Sequence, residues 1–289
     1  MQNLLLPHKK TASFDIVITS PVFYNKGKKT LKRSGCALSK AEKTPCLGLV
    51  SISFRSHSPE EIAAAAAEAG LSFVEWGSDV HAPCTDTKRL ADLVRLQETY
   101  GLSCSSYGTY FWLGETPLAE LPAYFEAAKA LGTNVVRLWC GNKSTAAYTE
   151  DETQALFAAC REAASLAKAH DMVIGLECHP NTYTEECEGA LSVMQAIHSS
   201  AFRMYWQPNQ YKSVEENIAY AKAIAPYTVR IHTYNWNKEE RMPLKDSVTV
   251  WRQYRSCFDH SVPLLLEFMP NDRIEELFAE TNALKEIVL

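Results

Sequence analysis

The chain has 289 residues, 46% of them hydrophobic, and a net charge of −5. Residues 1–46 carry nine Lys/Arg against Asp15 and Glu42, which leaves 20 Lys/Arg and 32 Asp/Glu, a net of −12, for the rest. An acidic body repels phosphate backbones and argues against nucleic acid as a partner, and no run reaches the roughly 18 apolar residues that a membrane span needs.

The first 46 residues stand apart. They hold the basic run NKGKKTLKRSGCALSKAEK and no sustained period beyond the short FDIVIT and PVFY pieces, so a poorly ordered leader is expected there. The apolar part of MQNLLLPHKK is too short for a secretory signal, and its lysines follow the apolar run instead of preceding it. Nine Cys with no CxxC pair, Cys140 and Cys178 among those inside predicted strands, suit a reducing compartment, and a cytoplasmic location is expected.

From Leu47 to the end the pattern is regular. LGLVSIS is a continuous apolar run suited to a strand buried on both faces; Ser58 and Pro59 then open the helix PEEIAAAAAEAG, which Gly70 closes. The alternation repeats with strand FVEW and a helix from about Asp86 to Tyr100, strand LSCSSY and a helix from about Pro117 to Leu131, and strand NVVRLWC and a helix from about Glu150 to His170. Four further units begin with MVIGLEC, FRMYWQ, TVRIHTY and VPLLLEF, and a last helix runs from about Asp272 to Ile287. Eight strand and helix pairs select a closed parallel (β/α)8 barrel over residues 47–289, in the α/β class, preceded by the leader at 1–46. No GxGxxG or GKS/T loop follows the first strand, which counts against dinucleotide-binding and P-loop folds.

Four segments in the second half end apolar runs on side chains able to hold a metal: IGLECHP (Glu177, His179), RMYWQPNQ (Gln207, Gln210), VRIHTYNW (His232) and LLLEFMP (Glu267). Glu177, Gln207, His232 and Glu267 are 30, 25 and 35 residues apart, the length of one barrel unit. Parallel barrel strands deliver their C-terminal ends to one face, so these groups converge. A carboxylate ending a run as apolar as LLLE is costly to bury without a cation or hydrogen-bonded partner. Residues at i and i+2 on a strand face the same way, which aims His179 with Glu177, and Asp79 with His81, at the barrel mouth. Trp76, Trp112, Trp139, Trp206 and Trp236 all fall at or just past predicted strand ends, and with Tyr107 and Tyr110 they are expected to form an aromatic wall for a sugar ring.

These segments carry a family resemblance. The chain from about Leu47 resembles the sugar phosphate isomerase/epimerase group of xylose isomerase-like TIM barrels through EWGSDVHAP, SSYGTYF, VRLWCG, LECHP, RIHTYNW with the following RMPLKDSVTVW, and LLLEF. The resemblance implies one divalent ion (Mn²⁺, Mg²⁺ or Co²⁺) held by Glu177, Gln207, His232 and Glu267. It departs from the family at the sixth strand, where Asp-x-x-His is replaced by Gln207-Pro-Asn-Gln210. A Gln carbonyl oxygen still ligates a hard cation, with one unit less negative charge.

The resemblance further implies proton transfer beside a carbonyl through an enediolate, with Glu177 and Glu267 as the acid/base pair. His179, Gln210, Arg241, Asp79, His81, Tyr107, Trp112, Trp139 and Trp236 would contact the substrate. The expected activity is isomerisation or epimerisation of a keto sugar, sugar phosphate or cyclic polyol. Two alternatives remain open: a lyase or dehydratase acting on an oxidised glycoside or polyol at the same site, and a metal-free carbohydrate-binding barrel. A homo-oligomer is left open beside the single chain.

Overall fold

The computed structural model describes residues 46–289; the leader expected at 1–46 lies outside the described residues except for its last residue. Eight parallel strands close into a barrel, each element following from the alternation read above. β1 (Leu47–Val50), β2 (Phe73–Gly77), β3 (Ser103–Leu113), β4 (Val135–Cys140), β5 (Val173–Glu177), β6 (Phe202–Trp206) and β7 (Thr228–Thr233) are neighbours in chain order. A two-stranded antiparallel ribbon, β8 (Trp236–Asn237) and β9 (Glu240–Arg241), follows β7. The eighth barrel strand is therefore β10 (Leu264–Leu266), and it closes the barrel against β1 with Gly48 beside Leu265.

The helices are α1 (Pro59–Ala69), α2 (Thr87–Tyr100), α3 (Leu121–Ala130), α4 (Glu150–Ala169), α5 (Cys187–Ile197), α6 (Val214–Ile224), α7 (Val248–Arg255) and α8 (Leu277–Val288). Their starts and stops follow local chemistry. Ser58 with Glu61, Thr149 with Glu152, and Ser213 with Glu216 form reciprocal capping boxes that satisfy the first amides of α1, α4 and α6. Gly70 ends α1 at φ +79°, a conformation that costs a residue with a Cβ. None of the described helices is long and apolar enough to cross a membrane.

Several boundaries differ from the sequence expectation: the first strand stops at Val50, with Ser51–Phe54 forming a 3-10 helix, and α3 starts at Leu121 after a 3-10 turn over Leu118–Glu120. β3 continues past Tyr107 to Leu113, because β-favouring Thr109, Tyr110, Phe111 and Trp112 prolong it; its register with β4 shifts between Gly108 and Trp112. The last helix starts at Leu277 and not near Asp272, since Asn271 and Asp272 take left-handed φ values of 57° and 53° that an α-helix cannot include.

Most of the apolar core lies between the sheet and the helices. Inside the barrel, a small cluster of Val50, Ile52 and Leu265 is packed by Phe73 and Phe268. Polar side chains hold much of the remaining interior: Glu75, Ser106, Arg137, Glu177, Tyr205 and His232 are all buried. Burying that many polar groups is costly unless they satisfy one another, and they meet at the C-terminal end of the strands.

Candidate metal centre

Strand parity sets which residues reach the axis. On β2 the side chain of Glu75 faces inward, while its neighbour Trp76 points into the helix layer and donates its indole N–H to Gln97 on α2 at 2.9 Å. On β6, Tyr205 packs edge-on to His232 and Trp206 packs outward against Trp251, Tyr254 and Phe258. The same alternation puts Arg137, Trp139, Glu177, His232 and Glu267 at the centre.

Four donor atoms from four strand ends converge. His232 Nδ1 lies 3.2 Å from Gln207 Oε1, 3.3 Å from Glu267 Oε2 and 3.4 Å from Glu177 Oε1. One imidazole nitrogen cannot satisfy three oxygens. One cation can, because ligand atoms at about 2.1 Å from a shared ion stand about 3.0–3.4 Å apart in octahedral or tetrahedral arrangements. The cluster of Glu177, His232 and Glu267 is buried and its ligand atoms lie within 4.8 Å of one another, so the donor set fits a divalent ion.

The charges lead to the same conclusion. Glu75, Glu177 and Glu267 bring three negative charges, and Arg137 brings one positive. With a neutral His232 the sum is −2, which a dication cancels. Burial opposes ionisation of Glu75, but His232 and then Arg137 outweigh it and hold the carboxyl at about 2. Glu177 is likewise held well below the usual range against its burial, by Arg137 and then His232. His232 stays well above its ordinary value despite burial, because Glu267, Glu75 and Glu177 surround it.

Glu177 is heavily committed. Its Oε2 accepts from the Arg137 guanidinium and from the Trp139 indole at 2.6 Å, and Thr184 Oγ1 donates to its backbone carbonyl at 2.7 Å. Glu267 sits where β10 ends, and the next residue, Phe268, takes φ +59°, strained for a bulky side chain. Ser53 Oγ accepts the Phe268 amide at 2.8 Å, and Arg241 and Trp236 cover its ring, so this turn is held from several sides.

Above the cluster is a cavity of about 250 Å³. Glu177, Gln207 and Glu267 form its floor; Tyr110, Trp139, Trp236 and Phe268 its aromatic sides; His179, Gln210 and Arg55 its polar edge. His179 packs at a tilt against Trp139, ring centres 5.1 Å apart, and fixes its Nδ1 on the Pro180 carbonyl at 2.8 Å.

Several expected substrate contacts lie elsewhere. His81 is 1% exposed, bonded to Ser51 Oγ at 3.0 Å and set edge-on to Trp76. The chain does not stay extended past Gly77, which is why His81 and Asp79 do not share a face at the mouth. Asp79 takes the Arg55 guanidinium at 3.0 Å. Tyr107 faces outward and donates to the Ala82 carbonyl, and Trp112 packs at a tilt against Trp139, ring centres 4.6 Å apart, behind the cavity wall. Arg241 pairs with Asp272 and lines a neighbouring cleft. The aromatic wall therefore lacks Trp76, Trp112, Trp206 and Tyr107. Sequence reasoning missed Glu75, Arg137 and Arg55. The first two carry a signal, a full charge at inward parity inside the apolar strands FVEWG and VVRLWC.

The family described as xylose isomerase-like TIM barrel matches residues 63–261, and the chain belongs to it. Its fold is similar to that of the probable 3-DHS dehydratase AsbF of Bacillus anthracis, at 18% identity and a TM-score of 0.67, over 83% of this chain and 98% of that one. It is similar to the 3-keto-D-glucoside 4-epimerase YcjR of E. coli, at 10% identity and a TM-score of 0.66, over 84% and 99%. It is also similar to the IOLI protein, solved with a binding zinc atom, at 14% identity and a TM-score of 0.65, over 84% and 97%. No curated protein matches the chain.

Proposed function

We propose that this barrel is a divalent-metal-dependent isomerase or epimerase of a small keto sugar or cyclic polyol. The observation that carries the reading is the convergence of Glu177, Gln207, His232 and Glu267 around His232 Nδ1, at the floor of a cavity with aromatic sides. These four residues would hold a divalent cation, which would supply Lewis-acid polarisation of a substrate carbonyl.

The chain supplies the rest. Tyr110, Trp139, Trp236 and Phe268 offer ring faces to the C–H face of a sugar, and a cavity of about 250 Å³ holds one ring, not an extended chain. Gln210 and His179 offer hydrogen bonds to hydroxyls. Glu177 and Glu267 form the proton-transfer pair. Arg137 and Trp139 keep Glu177 ionised and oriented, which makes it the weaker base. Glu267 is therefore assigned removal of the carbon-bound proton, and the proton returned to the opposite face of the substrate is drawn from solvent through Glu177, while Glu267 loses its own to solvent.

A second reading, dehydration of a keto polyol, is favoured by His179. With Nδ1–H anchored on the Pro180 carbonyl, its Nε2 is left for a ligand in the cavity, where it can protonate a departing hydroxyl once the ring carries a second proton. Incubating the Mn²⁺-loaded protein with keto sugars in heavy water tests both. Deuterium in a recovered sugar of otherwise unchanged composition supports epimerisation or isomerisation, and loss of water supports the second reading. Absence of both across the panel counts against each.

A further inference from the structure

Glu75 has no place in the proton transfer described above. Its side chain is fully buried on β2, does not line the cavity and cannot touch a substrate. Yet three groups are gathered on it: Ser106 Oγ donates to Oε2 at 2.7 Å, Arg137 Nε donates to Oε1 at 3.2 Å, and His232 Nε2 lies 3.5 Å from Oε1. The backbone makes room for this arrangement at Gly108, where a Cβ would stand 2.7 Å from Glu75 Oε1 and 3.1 Å from Arg137 Nη2. A counter-ion to Arg137 alone would not need to sit against an imidazole, because Glu177 already pairs with that guanidinium.

The two nitrogens of His232 differ in their surroundings. Nδ1 faces Glu177, Gln207 and Glu267, whereas Nε2 is buried without a hydrogen bond of ordinary geometry, and Glu75 is the acceptor it faces. A neutral imidazole carries one proton. Placed on Nδ1, that proton would point at the spot where the oxygens converge and would repel a cation. Placed on Nε2, it points at a carboxylate, and Nδ1 keeps its lone pair for a ligand.

We propose that Glu75 is a positioning residue that holds His232 with its proton on Nε2, so that Nδ1 is the ligating atom. The inference rests on the cation reading of the site, and it extends that reading to a residue outside the ligand set. Ser106 and Arg137 in turn fix the carboxylate from its other sides.

The test combines Mn²⁺ affinity, measured by competition with a chelating dye, with histidine ¹⁵N spectra of the Zn²⁺-loaded protein. Glu75→Ala is expected to weaken Mn²⁺ binding about 10–100-fold. Glu75→Gln, whose amide oxygen still accepts an N–H, is expected to lose less. The wild-type spectrum should show His232 protonated on Nε2, with a downfield hydrogen-bonded proton that Glu75→Ala removes. Affinities of both variants within about twofold of wild type, or a His232 protonated on Nδ1, overturn the proposal. If Glu75→Ala does not fold, Glu75→Gln and the wild-type spectrum decide. If the wild type takes up neither ion, the cation reading fails by itself. The metal-free protein, at a pH high enough for the His232 ring to be neutral, then decides the tautomer: Nε2–H supports the role of Glu75, and Nδ1–H overturns it.

Discussion

Glu177 and Glu267 share one imidazole but have different surroundings. Glu177 carries the Arg137 guanidinium and the Trp139 indole on one oxygen, whereas Glu267 borders the cavity beside the strained Phe268 turn. Replacing either by Gln keeps the shape and removes a charge. Both Glu177→Gln and Glu267→Gln are expected to lower kcat by about 10²–10⁴-fold, measured on whichever sugar exchanges deuterium. Full turnover in either variant rejects its assigned role. These residues were legible in the sequence because each ends an apolar run at the C-terminal edge of a strand, where a charge has no cheap structural reason to be. Glu75 and Arg137 were not picked out because they sit mid-strand, and only closure of the barrel reveals that β2, β4 and β7 point them at one another. Gln207 was legible as a departure from the family. That its oxygen faces His232 Nδ1 at 3.2 Å was not.

At the scale of the element, parity decides what a tryptophan does. Five tryptophans cluster near strand ends in sequence, but one step along a strand moves a ring from the barrel mouth into the helix layer. Trp139 lines the cavity; Trp206 packs among Trp251, Tyr254 and Phe258. Trp206→Ala is therefore expected to cost about 3–5 kcal/mol of stability in denaturant titration, with little change in KM of the folded fraction. Trp139→Ala should raise KM, since it removes a cavity wall and a hydrogen bond to Glu177. The reverse pattern would contradict this assignment of faces.

α8 carries a second element-scale consequence. Its buried Glu280 accepts the Leu244 amide at 3.1 and 3.2 Å, tying the helix to the turn after the ribbon, and burial pushes its carboxyl up to about 7. Unfolded, the same group ionises near its ordinary value of 4.5. Between these values the folded chain binds the extra proton, so stability falls as pH rises through the window and the full penalty applies above it. The melting temperature of Glu280→Gln, relative to wild type, should rise from pH 5 to pH 8; a difference that stays constant contradicts the assignment.

For the whole molecule, the closed barrel was the most legible feature, because eight apolar runs separated by capped helices leave few other ways to bury so many strands on both faces. The helix caps at Ser58 and Gly70 were readable from local chemistry alone. The long β3 and the delayed start of α8 were not, since both depend on backbone register and left-handed residues that no periodicity encodes. What the barrel achieves is convergence: strands far apart in sequence leave, with His232 neutral, a −2 charge at one buried point.

The account stands or falls on whether that point holds a cation. The most direct measurement is the metal content of purified chain equilibrated with Mn²⁺ and desalted, read by elemental analysis alongside its melting temperature. One divalent ion per chain is predicted, with stabilisation of about 2.7 kcal/mol when free metal reaches a hundredfold excess over Kd, both lost in Glu267→Gln. A chain that retains no divalent ion, and whose melting temperature is unmoved by Mn²⁺, Mg²⁺, Co²⁺ or Zn²⁺, would contradict it.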